Sequence, residues 1–349
     1  MKILYFGAYD PSYARNRVLI KGLKKNGFEV VEVQVSPKSK FKYFNLLKKY
    51  LNTKEDFDIL FVAFPGQEII FLAKLLTEKP IVFDAFTSHY EGYVLDRKYF
   101  SKNSWRALYY KFLDKWSCQL ADMVLLDTEA HIKFFVKQFS LSRQLFIKIF
   151  VGTDPDLFYP TQNLESKDKF TIHFHGNYIP LQGVEYIVET AKLLENENVT
   201  FNLIGRGQTY KHCYELAMRL GLNNINFIDK VPYEDLNKYI NSADICLGIF
   251  GDTSKTQTVI PNKVFEALAS GKAIITSETT AIKELLTDHK NVIFSQLANP
   301  IDLANKILEL KNSKELRDQI GLEGLNIFSS TATPEILGKQ LTNYIHERF

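Results

Sequence analysis

Twelve short, nearly unbroken apolar runs, six in each half and separated by helical stretches, constrain this chain more than any other feature. In the first half they are KILYFGAY, FEVVEV, DILFVAFP, PIVFDAF, DMVLLDT and FIKIFVG. In the second they are FTIHFHG, VTFNLIG, INFIDKV, DICLGIF, KAIITSE and NVIFSQ. Continuous rather than alternating apolar runs suit strands buried on both faces, so the pattern predicts parallel sheets in an α/β class. Helical segments fall between the runs. NRVLIKGLKKNG ends at Gly27, a C-cap signal. After Pro300 the chain reads as helix, with breaks near Asn312 and Thr333. The turn-rich stretch from Gly152 to Lys169 reads as a linker. At 349 residues the chain is long for one core and comfortable for two. The expected domains are residues 1–155, joined by a last helix over 333–349, and residues 165–330.

Composition narrows the class. With 46% hydrophobic and 24% charged residues the chain is of ordinary globular type. No apolar run reaches the ~18–20 residues of a membrane helix, and MKILYFGAYD reads as a buried strand rather than a leader. Cys118, Cys213 and Cys246 have no metal or redox spacing, which points to a reducing cytoplasm. The net charge is +3, but basic residues outnumber acidic ones in residues 1–160 and the balance reverses afterwards. An anionic partner of the first half is one reading, phospholipid head groups or nucleic acid; solvated helix faces are the other.

Ligands of parallel sheets bind at the carboxyl ends of strands, so the joins after strands carry the chemistry. FTIHFHG ends at Gly176, and the loop through Asn177 and Gln182 leads into a helix whose N-terminus favours a phosphate. Gly205, Arg206 and Gly207 follow VTFNLI and offer a turn with a cation. No G-x-G-x-x-G follows the first strand, which counts against a dinucleotide enzyme. The third join is the richest: Lys255, Thr256 and Thr258 precede a helix opening with Asn262 and Lys263, with Glu266 in its first turns. Asn262 is the expected cap, the open amides suit anionic oxygens, and Glu266 suits a pair of ribose hydroxyls. Taken singly, each join also reads as a structural turn or a helix-stabilising carboxylate.

IPNKVFEALASGKAIIT resembles the C-terminal half of the E-x7-E region of family 4 retaining glycosyltransferases. GNYIPLQGVEYIVETAKLL is similar in spacing to their G-R-x-x-x-x-K-G segment; FNLIGRGQ, FIDKVPYEDLNKYINSADICL and VGTDPDLFYP follow the same order. The resemblance covers about residues 150–330. It implies the GT-B fold: two facing Rossmann-like domains with a central cleft, and a C-terminal helix crossing back to the first. It implies that Glu266 binds the donor ribose. The sequence departs from the pattern at three places: Thr258 stands where the first Glu belongs, and Asn177 and Gln182 stand where the Arg and Lys that hold the diphosphate belong. Lys255, Arg206 and above all Lys263 are the replacement cations, since a departing diphosphate needs positive charge.

In the first half Gly7, Arg15, Arg17 and Ser88 are candidates for contact with the acceptor, while Asp84 and His89 join Thr258 as catalytic candidates. No metal site is expected. His173 and His175 share a strand face without a third ligand, and Asp154 and Asp156 lie in the linker. The implied reaction moves a sugar from a nucleoside diphosphate, UDP before GDP, to a glycan or lipid-linked acceptor with retention, in surface polysaccharide synthesis, with no cofactor and no nucleic-acid partner. A sugar-nucleotide epimerase of the same architecture and a noncatalytic nucleotide-sugar-binding subunit are the rivals. The segment from Ser36 to Asn52 interleaves lysines with Phe41, Phe44, Leu47 and Leu51; with the basic aromatic stretch from Arg97 to Trp116 it suggests peripheral attachment to an anionic inner membrane face.

Overall fold

The computed structural model of the chain describes residues 1–53, 56–161 and 168–349. It divides into two compact units: Met1–Asp154 with Ala332–Phe349, and Pro155–Thr331. The expected start of the second domain at residue 165, and part of the linker before it, lie outside the described residues.

In the first unit the strands are β1 (Lys2–Ala8), β2 (Glu29–Val35), β3 (Ile59–Val62), β4 (Ile81–Phe86), β5 (Met123–Leu126) and β6 (Phe146–Lys148). They form one parallel sheet in the order β2-β1-β3-β4-β5-β6. Every residue of β3 and β5 is buried, which is why their sequences are apolar without alternation. The connecting helices are α1 (Ala14–Lys25), α2 (Lys42–Asn52), α3 (Ile69–Leu76), α4 (Trp105–Gln119) and α5 (Glu129–Phe139). A π-helical turn spans Tyr90–Asp96. Ser104 and Thr128 cap α4 and α5 by accepting from the amides of Ala107 and His131.

The second unit repeats the plan with β7 (Phe170–His175), β8 (Val199–Ile204), β9 (Ile225–Ile228), β10 (Ile245–Leu247), β11 (Ala273–Ser277) and β12 (Ile293–Ser295). Its sheet is also parallel, in the order β12-β11-β10-β7-β8-β9. Around it lie α6 (Val184–Leu193), α7 (Tyr210–Arg219), α8 (Leu236–Ser242), α9 (Asn262–Ala269), α10 (Pro300–Asn312) and α11 (Lys314–Thr331).

The last helix, α12 (Pro334–Arg348), belongs to the first unit. Proline opens both α10 and α12, where its missing N–H costs nothing, and Asn299 and Thr333 supply the caps. Leu337, Leu341 and Ile345 of α12 join Val18, Leu19 and Leu23 of α1 in one buried cluster. Gly22 and Gly338 let the two backbones meet: a Cβ on Gly338 would fall 2.3 Å from the Gly22 carbonyl carbon.

Candidate functional site

The carboxyl end of the second sheet gathers the joins that the sequence singled out. The turn after β7 rests on the turn after β8: Gly176 N donates to Ile204 O at 3.0 Å, and Tyr178 N donates to Arg206 O at 3.1 Å. Only glycine fits at 205, where φ is +129° and a Cβ would lie 2.0 Å from Gly176 O. Gly183, at φ +63°, opens α6 and packs just as tightly on the loop after β10, where a Cβ would fall 2.4 Å from Gly251 N. Three loops from three strands are thereby fixed to one another by backbone contact.

The buried side of α9 projects Lys263 and Glu266 into this region. Lys263 Nζ donates to Gln182 Oε1 and lies 3.6 Å from the centroid of the Phe174 ring. A Cβ on Gly176 would sit 3.0 Å from that same Nζ. Gln182 is thus the acceptor that seats Lys263 beside the Gly176 turn. Burial pushes the Lys263 ammonium well below the ordinary lysine range, and the charge of Glu266 only partly restores it.

Glu266 is buried and held on both carboxylate oxygens. His175 Nε2 lies 2.6 Å from Oε2, and Tyr233 OH donates to Oε1 at 2.8 Å. Behind His175, its Nδ1 lies 2.8 Å from His173 Nε2. The two strand histidines thus bind each other and Glu266. Among the described residues no group of three or more His, Cys, Asp and Glu is arranged to hold a metal ion.

The remaining predicted donor residues are spread along the same loops. Asn177 is exposed at the turn after β7. Lys255 is half-buried on a 3-10 turn over Ser254–Gln257, and Thr258 Oγ1 donates to its carbonyl at 3.0 Å. Arg206 turns to Asp229 in an ion pair and lies 3.8 Å from the Tyr210 ring centroid. The expected cap is corrected: Pro261 occupies the N-cap of α9, Asn262 is its first helical residue, and no side chain caps this helix. Proline fixes the entry geometry that a capping side chain would otherwise set.

In the first unit three assignments change. Arg15 and Asp84 are both fully buried and grip each other, with Arg15 Nη2 2.9 Å and Nε 3.0 Å from the carboxylate oxygens. Arg15 Nη1 also donates to the carbonyls of Ile149 and Phe150 at 2.7 and 2.8 Å. The pair ties α1 to β4 and to the chain after β6, with both side chains buried. Ser88 is buried too. It donates to Asp114 Oδ2 at 2.6 Å and accepts from Glu91 N at 2.9 Å, which holds the start of the π-helical turn. Gly7 lies inside β1 against Ala63. Arg17 is half-buried on α1. His89 is partly exposed, its ring stacked near Tyr93 and Tyr110 with Nδ1 3.6 Å from Asp114 Oδ1.

Sequence reasoning missed Tyr233 as a partner of Glu266, and it read the histidine pair only as a failed metal site. It also missed a buried cluster in the first unit: His131 Nδ1 lies 2.7 Å from Asp127 Oδ1, and Nε2 lies 3.2 Å from Glu91 Oε2. The two carboxylates outweigh burial and raise His131 to about 9. Asp127, standing directly after a wholly apolar strand, was the legible sign.

The second unit is an α/β domain whose strand-end loops meet at Lys263 and Glu266. Residues 157–326, almost all of that unit, match the family described as glycosyl transferases group 1. An uncharacterized glycosyltransferase of Methanocaldococcus jannaschii is 25% identical over 158 residues, which are 43% of this chain and 41% of that protein. The chain spans less than two thirds of the length of the first curated relatives it matches. The crystal structure of HepE from Anabaena in complex with UDP and glucose superposes with a TM-score of 0.75 at 15% identity, covering 99% of this chain and all of that one. Sucrose-phosphate synthase from Thermosynechococcus elongatus superposes with a TM-score of 0.76 at 14% identity, covering 99% and 98%. The chain has the two-domain α/β GT-B fold of these structures.

Proposed function

We propose that the protein is a retaining glycosyltransferase of the family 4 type that uses a nucleoside diphosphate sugar, UDP before GDP, as donor. The observation that carries this reading is the pairing of Lys263 and Glu266 on α9 beside the Gly176 turn. Lys263 Nζ would meet the diphosphate, and the Gly176 turn would admit phosphate oxygens close to the backbone. Glu266 would accept from the ribose hydroxyls, since a carboxylate has about four acceptor positions and His175 and Tyr233 take two. In the reaction the bond between the anomeric carbon and the diphosphate oxygen breaks. A bond from the acceptor oxygen forms on the same face, and the departing phosphate takes the acceptor's proton. The charge that develops on that phosphate is what Lys263 is suited to stabilise. Thr258 and His89 are the candidates for contact near the sugar; no cofactor is required.

The acceptor is a glycan or lipid-linked sugar, and the setting is surface polysaccharide synthesis at the cytoplasmic face of a membrane. No helix among the described residues is long and apolar enough to cross a membrane. Peripheral attachment is supported by two helices of the first unit. Phe41 and the α2 residues Phe44 and Leu51 are exposed, as are Trp105, Leu108 and Phe112 on α4. Glu68 accepts from Lys42 and Tyr43 at 2.9 and 3.0 Å and also bonds Tyr109, so the two helices share one region of surface. Exposed Lys48, Lys102, Arg106 and Lys111 stand among these rings, which suits anionic lipid.

Incubating the purified protein with a panel of UDP- and GDP-sugars, with and without lipid-linked acceptors, tests the reading. Release of free UDP that depends on Glu266 and Lys263 is the expected result. Binding without turnover under every condition would favour the noncatalytic subunit, and interconversion of the sugar without release would favour an epimerase.

A further inference from the structure

His173 and His175 are both buried, two residues apart on one strand, and they form a chain that ends on Glu266. The direction of this chain follows from its end. An ionised Glu266 only accepts, so His175 Nε2 carries a proton and donates to Oε2. In a neutral His175 the other nitrogen, Nδ1, is then an acceptor, and His173 Nε2 is the donor to it. That leaves His173 Nδ1 as a bare lone pair, and this buried atom has no hydrogen-bond partner. The opposite arrangement would leave an N–H buried without an acceptor, which is the costlier of the two. Burial, together with the nearby His175 and Lys263, favours a neutral His173. Each donor is thus oriented by the one behind it.

The two bonds to Glu266 differ in their surroundings. The His175 bond is buried, whereas the Tyr233 bond is only partly so. A ligand that reaches Glu266 can exchange with the second more readily than with the first. We propose that His175, oriented by His173, is a positioning residue that fixes the Glu266 carboxylate for the ribose hydroxyls of the donor nucleotide. This rests on the reading of Glu266 as the ribose-binding group. The histidines touch no ligand themselves; they keep the carboxylate aimed while a ligand engages its remaining lone pairs.

The test compares two probes, UDP and 2′,3′-dideoxy-UDP, by calorimetry on the whole protein. In the parent, UDP binds more tightly. His175→Phe is expected to weaken UDP about tenfold, as the loss of one charge-assisted hydrogen bond does. The dideoxy probe should change less than about twofold, because it makes no bond to Glu266. His175→Gln, whose amide can still donate to Oε2, should recover most of the affinity for UDP. His173→Leu lies one step further back and should shift UDP in the same direction by less; it serves as the second variant if His175→Phe does not fold. Glu266→Ala is the reference. If it leaves the preference for UDP over the dideoxy probe intact, the ribose reading itself fails. If Glu266→Ala removes the preference while the histidine variants keep it, the positioning role alone is overturned. Equal weakening of both probes by His175→Phe would also overturn it, by reducing the histidine to a packing residue.

Discussion

Replacing Lys263 by Met separates ligand binding from folding. Met keeps the length of the stem and its packing on Phe174 but removes the ammonium. Within the folded protein that ammonium is a poor asset: it is buried, its hydrogen-bond acceptor is the neutral Gln182 Oε1, and burial drives it toward the uncharged form. Deleting it removes one hydrogen bond, about 1 kcal/mol, and relieves the burial of a cation, so stability should stay within about 1 kcal/mol of the parent. A diphosphate reverses the balance, because two anionic groups at the Gly176 turn would restore the charge. Losing hydrogen bonds to a charged group costs about 1.5–3 kcal/mol, roughly ten- to a hundredfold in Kd for UDP. The sign of the proton linkage follows. The folded protein holds Lys263 below its ordinary range, and the ligand raises it again, so binding takes up a proton and weakens as pH rises. Above neutral pH the phosphates are already ionised, so their own titration does not mask the Lys263 response. Calorimetry in two buffers of different ionisation enthalpy should show uptake of up to about one proton in the parent and none in Lys263→Met. Unchanged UDP affinity in the variant, or a heat of binding that is the same in both buffers for the parent, would refute this account. A matching collapse in thermal stability would show instead that Lys263 serves the core.

Other expectations concern the first unit. Arg15→Ala should lower the unfolding free energy in urea by about 3–5 kcal/mol, because it strands the buried Asp84 carboxylate. His131, raised to about 9, lends stability that is complete below its ordinary value of 6.5 and fades as pH climbs through about 9; His131→Gln should flatten that alkaline decline in a pH series of melting temperatures. Co-sedimentation with anionic but not neutral vesicles, reversed by salt and weakened in a Phe44→Ser, Trp105→Ser variant, is expected if α2 and α4 meet a membrane. Equal recovery in the supernatant with both lipids would remove that claim.

What could be read in the sequence, and what could not, divides along physical lines. Strands such as β3 and β5 were legible because they are buried on both faces and admit almost nothing polar. The breaks after Asn312 and before Pro334 were legible because caps and proline act locally. The cap of α9 was misjudged although it too is local: Asn262 is a good capping residue, but Pro261 already held that position. Long-range pairings were invisible. Arg15 meets Asp84 across 69 residues, and Glu266 meets His175 across 91, with no local pattern to announce either contact. Spacing alone brought Glu266 and Lys263 to notice, yet it could not show that Gln182 seats the lysine.

The two sheets, alike in plan, treat charge differently at their carboxyl ends, and this difference bears on where a ligand is held. In the first unit the buried charges beside β4 and β5 face opposite charges within the protein: Asp84 faces Arg15, and His131 lies between Asp127 and Glu91. The Arg15–Asp84 pair, bonded on both partners, gains little from a ligand, because any new bond replaces an existing one. In the second unit the balance is left open. Lys263 is a buried cation with a neutral acceptor, and Glu266 retains acceptor capacity beyond His175 and Tyr233. A molecule that brings anionic oxygens to the first and hydroxyl donors to the second would improve both environments at once. A nucleoside diphosphate has both groups, joined through its ribose. The incomplete polar satisfaction of α9, more than the shape of the sheet it adjoins, is what the proposal of donor binding at this end of the second unit rests on.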